Sequence, residues 1–294
     1  MSTLGTRGAT GGAGPANASL LVKLGGRALE APGALAACAE ALRDAAASGR
    51  VTLVVHGGGA EVSTWCERAG VTPRFADGLR VTDAPTLEIA AAVLAGLANK
   101  RLVAALRARG VDAVGVSALD GGIVRARRHA DAALLGEVGE VAAVDGSLLA
   151  TLLAAGRVPV VASLGDDGHG ALLNLNADDV AAAIAGAFPV RDLVLLSDTP
   201  GLVLDGQVVR SLGADALAPT LARSDVTGGM RPKLRAAGVA IAGGVERVHI
   251  AAWQGPATLR TLLDGTAVAT TLHAGTASAA THTSPPAPHE ETHA

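Results

Sequence analysis

The sequence predicts an α/β protein: a three-layer αβα sandwich around a mostly parallel central sheet. Three observations carry that prediction. Apolar runs of about five residues alternate with Ala/Leu-rich stretches of helical length, the pattern of strand–helix–strand units. The runs are apolar throughout rather than alternating with polar residues, so both faces of each strand should be covered. Glycine runs stand where these strands end, on the side where such sheets bind their ligands.

Taken in order, residues 1–19 are rich in Gly, Ala and Thr, lack the apolar core of a secretion signal, and read as a flexible leader. Leu20–Leu24 is a strand running into Gly25-Gly26. Ala31–Ser48 is an amphipathic helix opened by Pro32. Val51–Val55 is a second strand, running into Gly57-Gly58-Gly59. Ala60–Ala69 and Pro85–Arg109 read as helices. Ala113–Val116, Val158–Ala162, Leu193–Leu196 and Arg247–Ile250 are further buried strands, with helices at Ala177–Ala187 and Lys233–Ala242. Ile123–Arg128 and Glu137–Val144 form a hairpin inserted beside the sheet. A new strand–turn unit starts near Pro189, dividing the chain into parts 20–189 and 190–273. Residues 274–294 read as a disordered tail. Four of the eight histidines (His273, His282, His289, His293) fall at its start or within it, spaced too irregularly to favour a metal site.

Composition narrows the function. The 294 residues are 49% hydrophobic, enough for a sizeable core. A net charge of −3 without a basic block, and only two Phe and two Trp, argue against a nucleic-acid partner. Cys38 and Cys66 form no disulfide framework and have no metal-ligand spacing. Apolar runs are broken by Arg, Asp or Gly before the roughly 20 residues a bilayer requires. The expectation is a cytoplasmic protein acting on small molecules, with no membrane partner. Of 24 basic residues only Lys23, Lys100 and Lys233 are lysines. A compact ammonium therefore stands at just three places in a chain that otherwise uses Arg.

The glycine loops place backbone N–H groups at a helix start, where an anion is stabilised. Lys23 beside the first loop suggests phosphate. No G-x-x-x-x-G-K-[ST] or strand-borne G-x-G-x-x-G occurs, which disfavours a P-loop or a dinucleotide site. His56-Gly57-Gly58-Gly59 also fits the oxyanion loop of an α/β-hydrolase, but Gly115-Val116-Ser117-Ala118-Leu119 fails as a nucleophile elbow. Asn174 to Asp179 opens a helix, and its simplest reading is an N-cap. Thr227-Gly228-Gly229-Met230-Arg231-Pro232-Lys233 is a second glycine loop ending in a lysine. Arg80, in Gly78-Leu79-Arg80-Val81-Thr82-Asp83, offers a fork suited to a carboxylate, or to an ordinary surface ion pair.

Together with Ala98-Asn99-Lys100 and Leu196-Ser197-Asp198-Thr199-Pro200-Gly201, these segments resemble the amino acid kinase family, in its order, over about residues 20–272. The resemblance implies a sheet of roughly eight strands. It implies ATP and Mg²⁺, with the metal carried on the ATP phosphates, and transfer of a phosphoryl group to the side-chain carboxylate of N-acetyl-L-glutamate. By resemblance Lys23, Lys233 and Asp178 are catalytic, and Gly25 and Gly26 form the phosphate loop. Gly58, Gly59, Arg80 and Asn174 bind the acylated amino acid, with Arg80 on its α-carboxylate. Ser197, Asp198, Thr199, Pro200, Gly201, Leu202, Asp225, Val226 and Thr227 line the nucleotide pocket. Since the substrate carboxylate attacks directly, His56 reads as a structural loop residue and Lys100 as a structural helix residue. Arg27 departs from the small or neutral residue usual after the two glycines. The alternatives are a kinase of an acylated aminoadipate, one methylene longer and possibly carrier-bound, and a non-catalytic amino-acid-binding regulator on the same fold. Gly243 to Ile250 resembles the arginine-inhibited branch and Ala251-Ala252-Trp253 the uninhibited one. Residues 1–19 carry no amphipathic period, so the expectation is an arginine-insensitive homodimer.

Overall fold

The computed structural model describes residues 19–30, 33–188, 190–275 and 282–283. Its central sheet has eight strands: β1 (Leu20–Leu24), β2 (Thr52–His56), β3 (Ala113–Ser117), β4 (Val158–Ala162), β5 (Asp192–Ser197), β6 (Ser211–Gly213), β7 (Arg247–Ala252) and β8 (Thr270–His273). Their spatial order is β6-β8-β7-β5-β1-β2-β4-β3. All neighbours are parallel except β7 and β8, which pair antiparallel. From β1 the chain builds outward through β2 to the β4–β3 edge, then restarts with β5 on the other side of β1. That reversal opens a crevice at the carboxyl ends of β1, β2 and β5.

Helices α1 (Ala34–Ala47), α2 (Gly59–Arg68), α3 (Ala84–Arg107), α4 (Ala177–Ala187), α5 (Met230–Ala242) and α6 (Thr258–Leu263) pack around the sheet. Every residue of β1 and β2 is buried. Leu20, Val22 and Leu24 share one core with Leu42 of α1 and Leu102 and Leu106 of α3. Leu21 belongs to the opposite core, with Val180 and Ile184 of α4 and Leu234 of α5. Because strand side chains alternate, Lys23 shares the face of Leu21, the face covered by α4 and α5. The pleat alone therefore sends its ammonium toward Asp178.

The expected hairpin is present as antiparallel strands Val124–Arg128 and Val138–Val144. It is also more than a hairpin: Leu164–Asp166 and Leu172–Leu175 close it into a four-stranded barrel. Those two strands are short and separated by Asp167-Gly168-His169-Gly170-Ala171, which hid them in the sequence. A second hairpin, Arg74–Ala76 with Leu79–Val81, turns at Asp77 and Gly78. Both have positive φ, 49° and 82°, as a two-residue turn matching strand twist requires.

Helix α3 was expected at Pro85–Arg109, and runs Ala84–Arg107 from Asp83, whose carboxylate accepts the Thr86 N–H at 3.1 Å. Its middle, Ala92–Ala98, is π-helical. By length and mean hydropathy (1.6) α3 is also apolar enough to cross a bilayer, which corrects the expectation that every apolar run is broken too early. Its Leu102, Leu106 and Asn99 are nonetheless fully buried against this protein's own sheet. Helix α5 begins at Met230, a turn before the expected Lys233. Residues 1–18, Ala31, Pro32, the expected boundary Pro189 and most of the tail lie outside the described residues. Within that tail His282–Thr283 pairs antiparallel with Gln207–Val209.

Candidate active site

A cavity of about 260 Å³ opens at the carboxyl ends of β1 and β2. Its walls bring together Lys23, Gly25, Gly26, Gly58, Gly59, Arg80, Asn174, Asp178 and Lys233. A somewhat larger hollow of about 320 Å³ between α1 and α6 contains none of these residues.

Asp178 is the floor of the cavity. Asn176 caps α4, its side chain accepting the N–H groups of Asp178 and Asp179 at 2.8 and 3.3 Å. This fixes the first turn and turns Asp178 inward, where the positive end of the helix favours its charge. Lys23 Nζ lies 2.8 Å from Asp178 Oδ1, and Lys233 Nζ donates to Oδ2 at 2.9 Å. The Lys23 contact is an ion pair rather than a well-aligned hydrogen bond. The side chains of Asp178, Lys23 and Lys233 are only 6%, 10% and 16% exposed, so this is one buried ionic triad. Burial would push the Asp178 carboxyl up. The two ammonium groups outweigh it and hold the group below the usual carboxylate range. With two cations and one anion, the triad leaves one positive charge facing the cavity.

Arg80 stands on the Arg74–Val81 hairpin and is 8% exposed. Its Nη2 donates to Gly59 O at 2.6 Å and to Ser63 Oγ at 2.8 Å. Its guanidinium lies 4.7 Å from the centre of the Phe75 ring. Nη1 is buried with no acceptor among the described residues. Burial pulls its pKa down, though a guanidinium stays charged throughout the working range. Arg80 lines the cavity, and a guanidinium there fits an anionic ligand group. Asn174 donates to Thr82 Oγ1 at 3.0 Å, and Thr82 in turn donates to Arg80 O at 2.9 Å, which ties the hairpin to the barrel.

His56 at the end of β2 is fully buried and burial pushes its pKa down to about 4, so it is neutral. Its Nδ1 lies 2.8 Å from Gly57 O and its Nε2 3.1 Å from Asn99 Nδ2. Both contacts suit the structural role expected for it. Sequence reasoning missed Ser63, Phe75 and Thr82 as supports of Arg80 and Asn174. Phe75 alone carried a signal, as one of four aromatic residues that is 58% exposed here.

The segments assigned to the nucleotide do not line this cavity. Ser197 to Leu202 follows β5 on its flank, where a Cβ at Gly26 would meet Asp198 Oδ1 at 2.6 Å. Ser197 Oγ accepts the Thr199 N–H at 3.3 Å, and Leu202 N donates to Thr270 Oγ1 at 2.8 Å. Pro200 and Gly201 form the turn between these two anchors. Asp225 is held by Arg223 at 2.7 and 2.8 Å. Val226 is buried, its carbonyl accepting from Arg231 at 2.9 and 3.2 Å, just before Thr227. Arg27 begins a four-residue helix after Gly25-Gly26, and its side chain is outside the described structure.

A doubly wound sheet carrying a net-positive lysine–aspartate–lysine triad, glycine loops and a separate arginine defines a protein that handles an anionic donor and an anionic acceptor together. The amino acid kinase family model matches residues 19–252, and the chain belongs to that family. Among curated relatives, the acetylglutamate kinase of Symbiobacterium thermophilum is 44% identical over 79% of this chain and 83% of its own. The acetylglutamate kinase of Methanopyrus kandleri is 45% identical over 69% of this chain and 87% of its own. In structure the chain is similar to smu.665 of Streptococcus mutans UA159, with TM-score 0.73, 26% identity, and 87% and 98% of the two chains covered. It is also similar to N-acetylglutamate synthase of Neisseria gonorrhoeae, solved with coenzyme A and N-acetyl-glutamate, with TM-score 0.76, 25% identity, and 88% and 60% covered.

Proposed function

We propose that the chain transfers the γ-phosphoryl group of ATP to the side-chain carboxylate of N-acetyl-L-glutamate, giving ADP and N-acetyl-L-glutamyl 5-phosphate, the second step of arginine biosynthesis. The observation that carries this reading is the Lys23–Asp178–Lys233 triad lining one cavity together with the glycine loops and Arg80.

The substrate carboxylate oxygen forms the new bond to phosphorus as the bond from phosphorus to the ADP oxygen breaks. No proton moves, so no side-chain base is needed. Charge gathers on the phosphoryl oxygens, and catalysis is alignment plus electrostatic stabilisation. Lys23, beside Gly25-Gly26, and Lys233, from the first turn of α5, address the two sides of the moving group. Asp178 pairs with both amines and fixes their spacing. Gly25, Gly26, Gly58 and Gly59 supply N–H donors. Arg80 and Asn174 hold the acylated amino acid, and Ser197–Leu202 with Asp225–Thr227 hold the nucleotide.

The only buried carboxylate lining the cavity, Asp178, is already shared between two ammonium groups. Mg²⁺ fits as a companion of the ATP phosphates, adding charge neutralisation there, since that ion keeps much of its water and binds through substrate phosphates. We further read the protein as a cytoplasmic homodimer joined through α3.

The test is ATP- and Mg²⁺-dependent acyl-phosphate formation, trapped as the hydroxamate. N-acetyl-L-glutamate is compared with glutamate, N-acetyl-aminoadipate and no acceptor. The expected result is product from N-acetyl-L-glutamate and a several-fold lower kcat/KM for the longer homologue, since one methylene is worth about 1–3 kcal/mol. No product from any acceptor, with folded protein that binds ATP, would overturn the reading.

A further inference from the structure

The chemistry above uses two of the three lysines and leaves Ala98-Asn99-Lys100 without a part. We propose that His56, Asn99 and Lys100 are positioning residues that clamp the Gly57 carbonyl and so aim the Gly58 N–H into the active-site cavity. The part of this that concerns phosphoryl transfer rests on the function proposed above.

The clamp follows from donor and acceptor inventories, one atom at a time. Lys100 Nζ lies 2.9 Å from Asn99 Oδ1 and 3.1 Å from Gly115 O. An ammonium can only donate, so the Asn99 atom facing it is the amide oxygen. That assigns the other end of the amide, Nδ2, as the donor that reaches Val160 O at 2.9 Å and His56 Nε2 at 3.1 Å, with Val116 O at 3.3 Å. His56 Nε2 must then accept, so the single proton of the neutral ring is on Nδ1. That proton is donated to Gly57 O at 2.8 Å. A surface ammonium thus sets the tautomer of a fully buried imidazole through one buried amide.

The consequence lies in the peptide plane. The described residues contain no cis peptide. In a trans peptide the C=O and the next N–H point in opposite directions. Holding the Gly57 carbonyl on the imidazole therefore turns the Gly58 N–H away from His56. Gly58 lines the cavity, and its N–H donates to no protein acceptor among the described residues. The space for the relay is made by Gly115, where a Cβ would stand 2.0 Å from Asn99 Oδ1 and 3.0 Å from Lys100 Nζ. A guanidinium in place of Lys100 would offer the two acceptors a planar fork instead of one compact ammonium.

The experiment compares His56→Asn, His56→Leu and Lys100→Met with the wild type. An Asn amide nitrogen stands where imidazole Nδ1 does and can still donate to Gly57 O, whereas Leu cannot. His56→Leu should lower kcat about 10- to 100-fold, with KM for both substrates within about twofold, and His56→Asn should recover most of that loss. Folding is followed by circular dichroism and thermal midpoint. Lys100, with its exposed position, gives a variant that keeps the core intact, and Lys100→Met should lower kcat several-fold. Independently of activity, ¹⁵N–¹H correlations of histidine-labelled protein should show His56 as the Nδ1–H tautomer in the wild type and a mixture in Lys100→Met. The proposal is overturned if His56 is found as the Nε2–H tautomer, or if folded His56→Leu keeps kcat within twofold. It is equally overturned if the Asn and Leu variants lose the same activity. A wild type that makes no acyl phosphate would sink the functional reading alone, because the tautomer readout still decides the clamp.

Discussion

Asp178 shows how much one residue is asked to do. It is almost fully buried and meets two ammonium groups at 2.8 and 2.9 Å, with the geometry of both set by the N-cap at Asn176 and the pleat of β1. Because the amines are separate point charges, exchanging either for a guanidinium should preserve charge and destroy fit. Lys23→Arg and Lys233→Arg are each expected to lower kcat about 100- to 1000-fold while ATP binding, measured by calorimetry, persists. Wild-type turnover in both variants would remove the two-lysine account. His56 supplies a second test through pH. In the unfolded chain its imidazole takes up a proton near pH 6.5, but in the folded protein burial delays that to about pH 4. The depressed value means that stability is fully present above pH 6.5 and is lost as pH falls through this window. By pH 5 the loss from this residue is about 2 kcal/mol. His56→Asn has no such group, so urea unfolding of that variant should lose about 2 kcal/mol less between pH 7 and pH 5 than the wild type. Asp178 stays out of this comparison, since its own depressed carboxyl titrates below the window.

At the scale of elements, what the sequence revealed depended on whether a pattern was local. The strands at Leu20–Leu24 and Val158–Ala162 and the helix at Ala177–Ala187 match their expected bounds because continuous apolar runs and Ala-rich stretches need no partner to be read. Two of the sheet's strands, Ser211–Gly213 and Thr270–His273, were not anticipated. Each is three or four residues long and acquires strand character only by pairing with a neighbour distant in sequence. The barrel strand Leu164–Asp166 failed for the same reason, and the π-helical stretch of α3 has no sequence signature at all. In the site, the charged triad was read from its rare lysines and from family order, whereas Ser63 and Thr82 look like any surface hydroxyl until the fold places them under Arg80 and Asn174. The loop after β5, assigned to the nucleotide in the proposed function, offers a test at this scale. Gly201 has φ 145°, and a Cβ there would stand 2.6 Å from Thr270 Oγ1 and 2.8 Å from Thr270 N. An alanine must therefore displace the turn between Ser197 and Leu202 or distort β8. Gly201→Ala is expected to raise KM for ATP about tenfold, the equivalent of the 1–3 kcal/mol cost of a strained backbone, with KM for N-acetyl-L-glutamate unchanged. An unchanged KM for ATP would take this loop out of the nucleotide site.

Across the whole molecule, the site is a seam. Lys23 comes from the first half of the chain and Lys233 from the second, and Asp178 ties one to the other beneath the switch in strand order. Helix α3 runs along the first half and leaves much of its apolar surface uncovered. Its most apolar stretch has a mean hydropathy of 1.6, yet only 33% of that stretch is buried within the chain. Leu87, Ile89 and Leu97 are only partly covered, and Ala92 is exposed. Beside it lies a hollow of about 500 Å³ lined by Leu35, Trp65, Arg68, Ala98 and Arg101, with Trp65 38% exposed. A bilayer would accept the apolar face but not Arg101 and Arg107, or Asn99 with its bonds to the sheet. A second copy of the same helix would cover the apolar residues and leave the arginines at the rim, in the manner of an isologous contact. Sedimentation equilibrium at micromolar concentration, without detergent, should therefore give twice the mass of one chain. Ala92→Arg, which puts a charge on that face and touches no residue of the active site, should shift the mass to that of one chain. A wild type that sediments as a single chain would refute the pairing through α3.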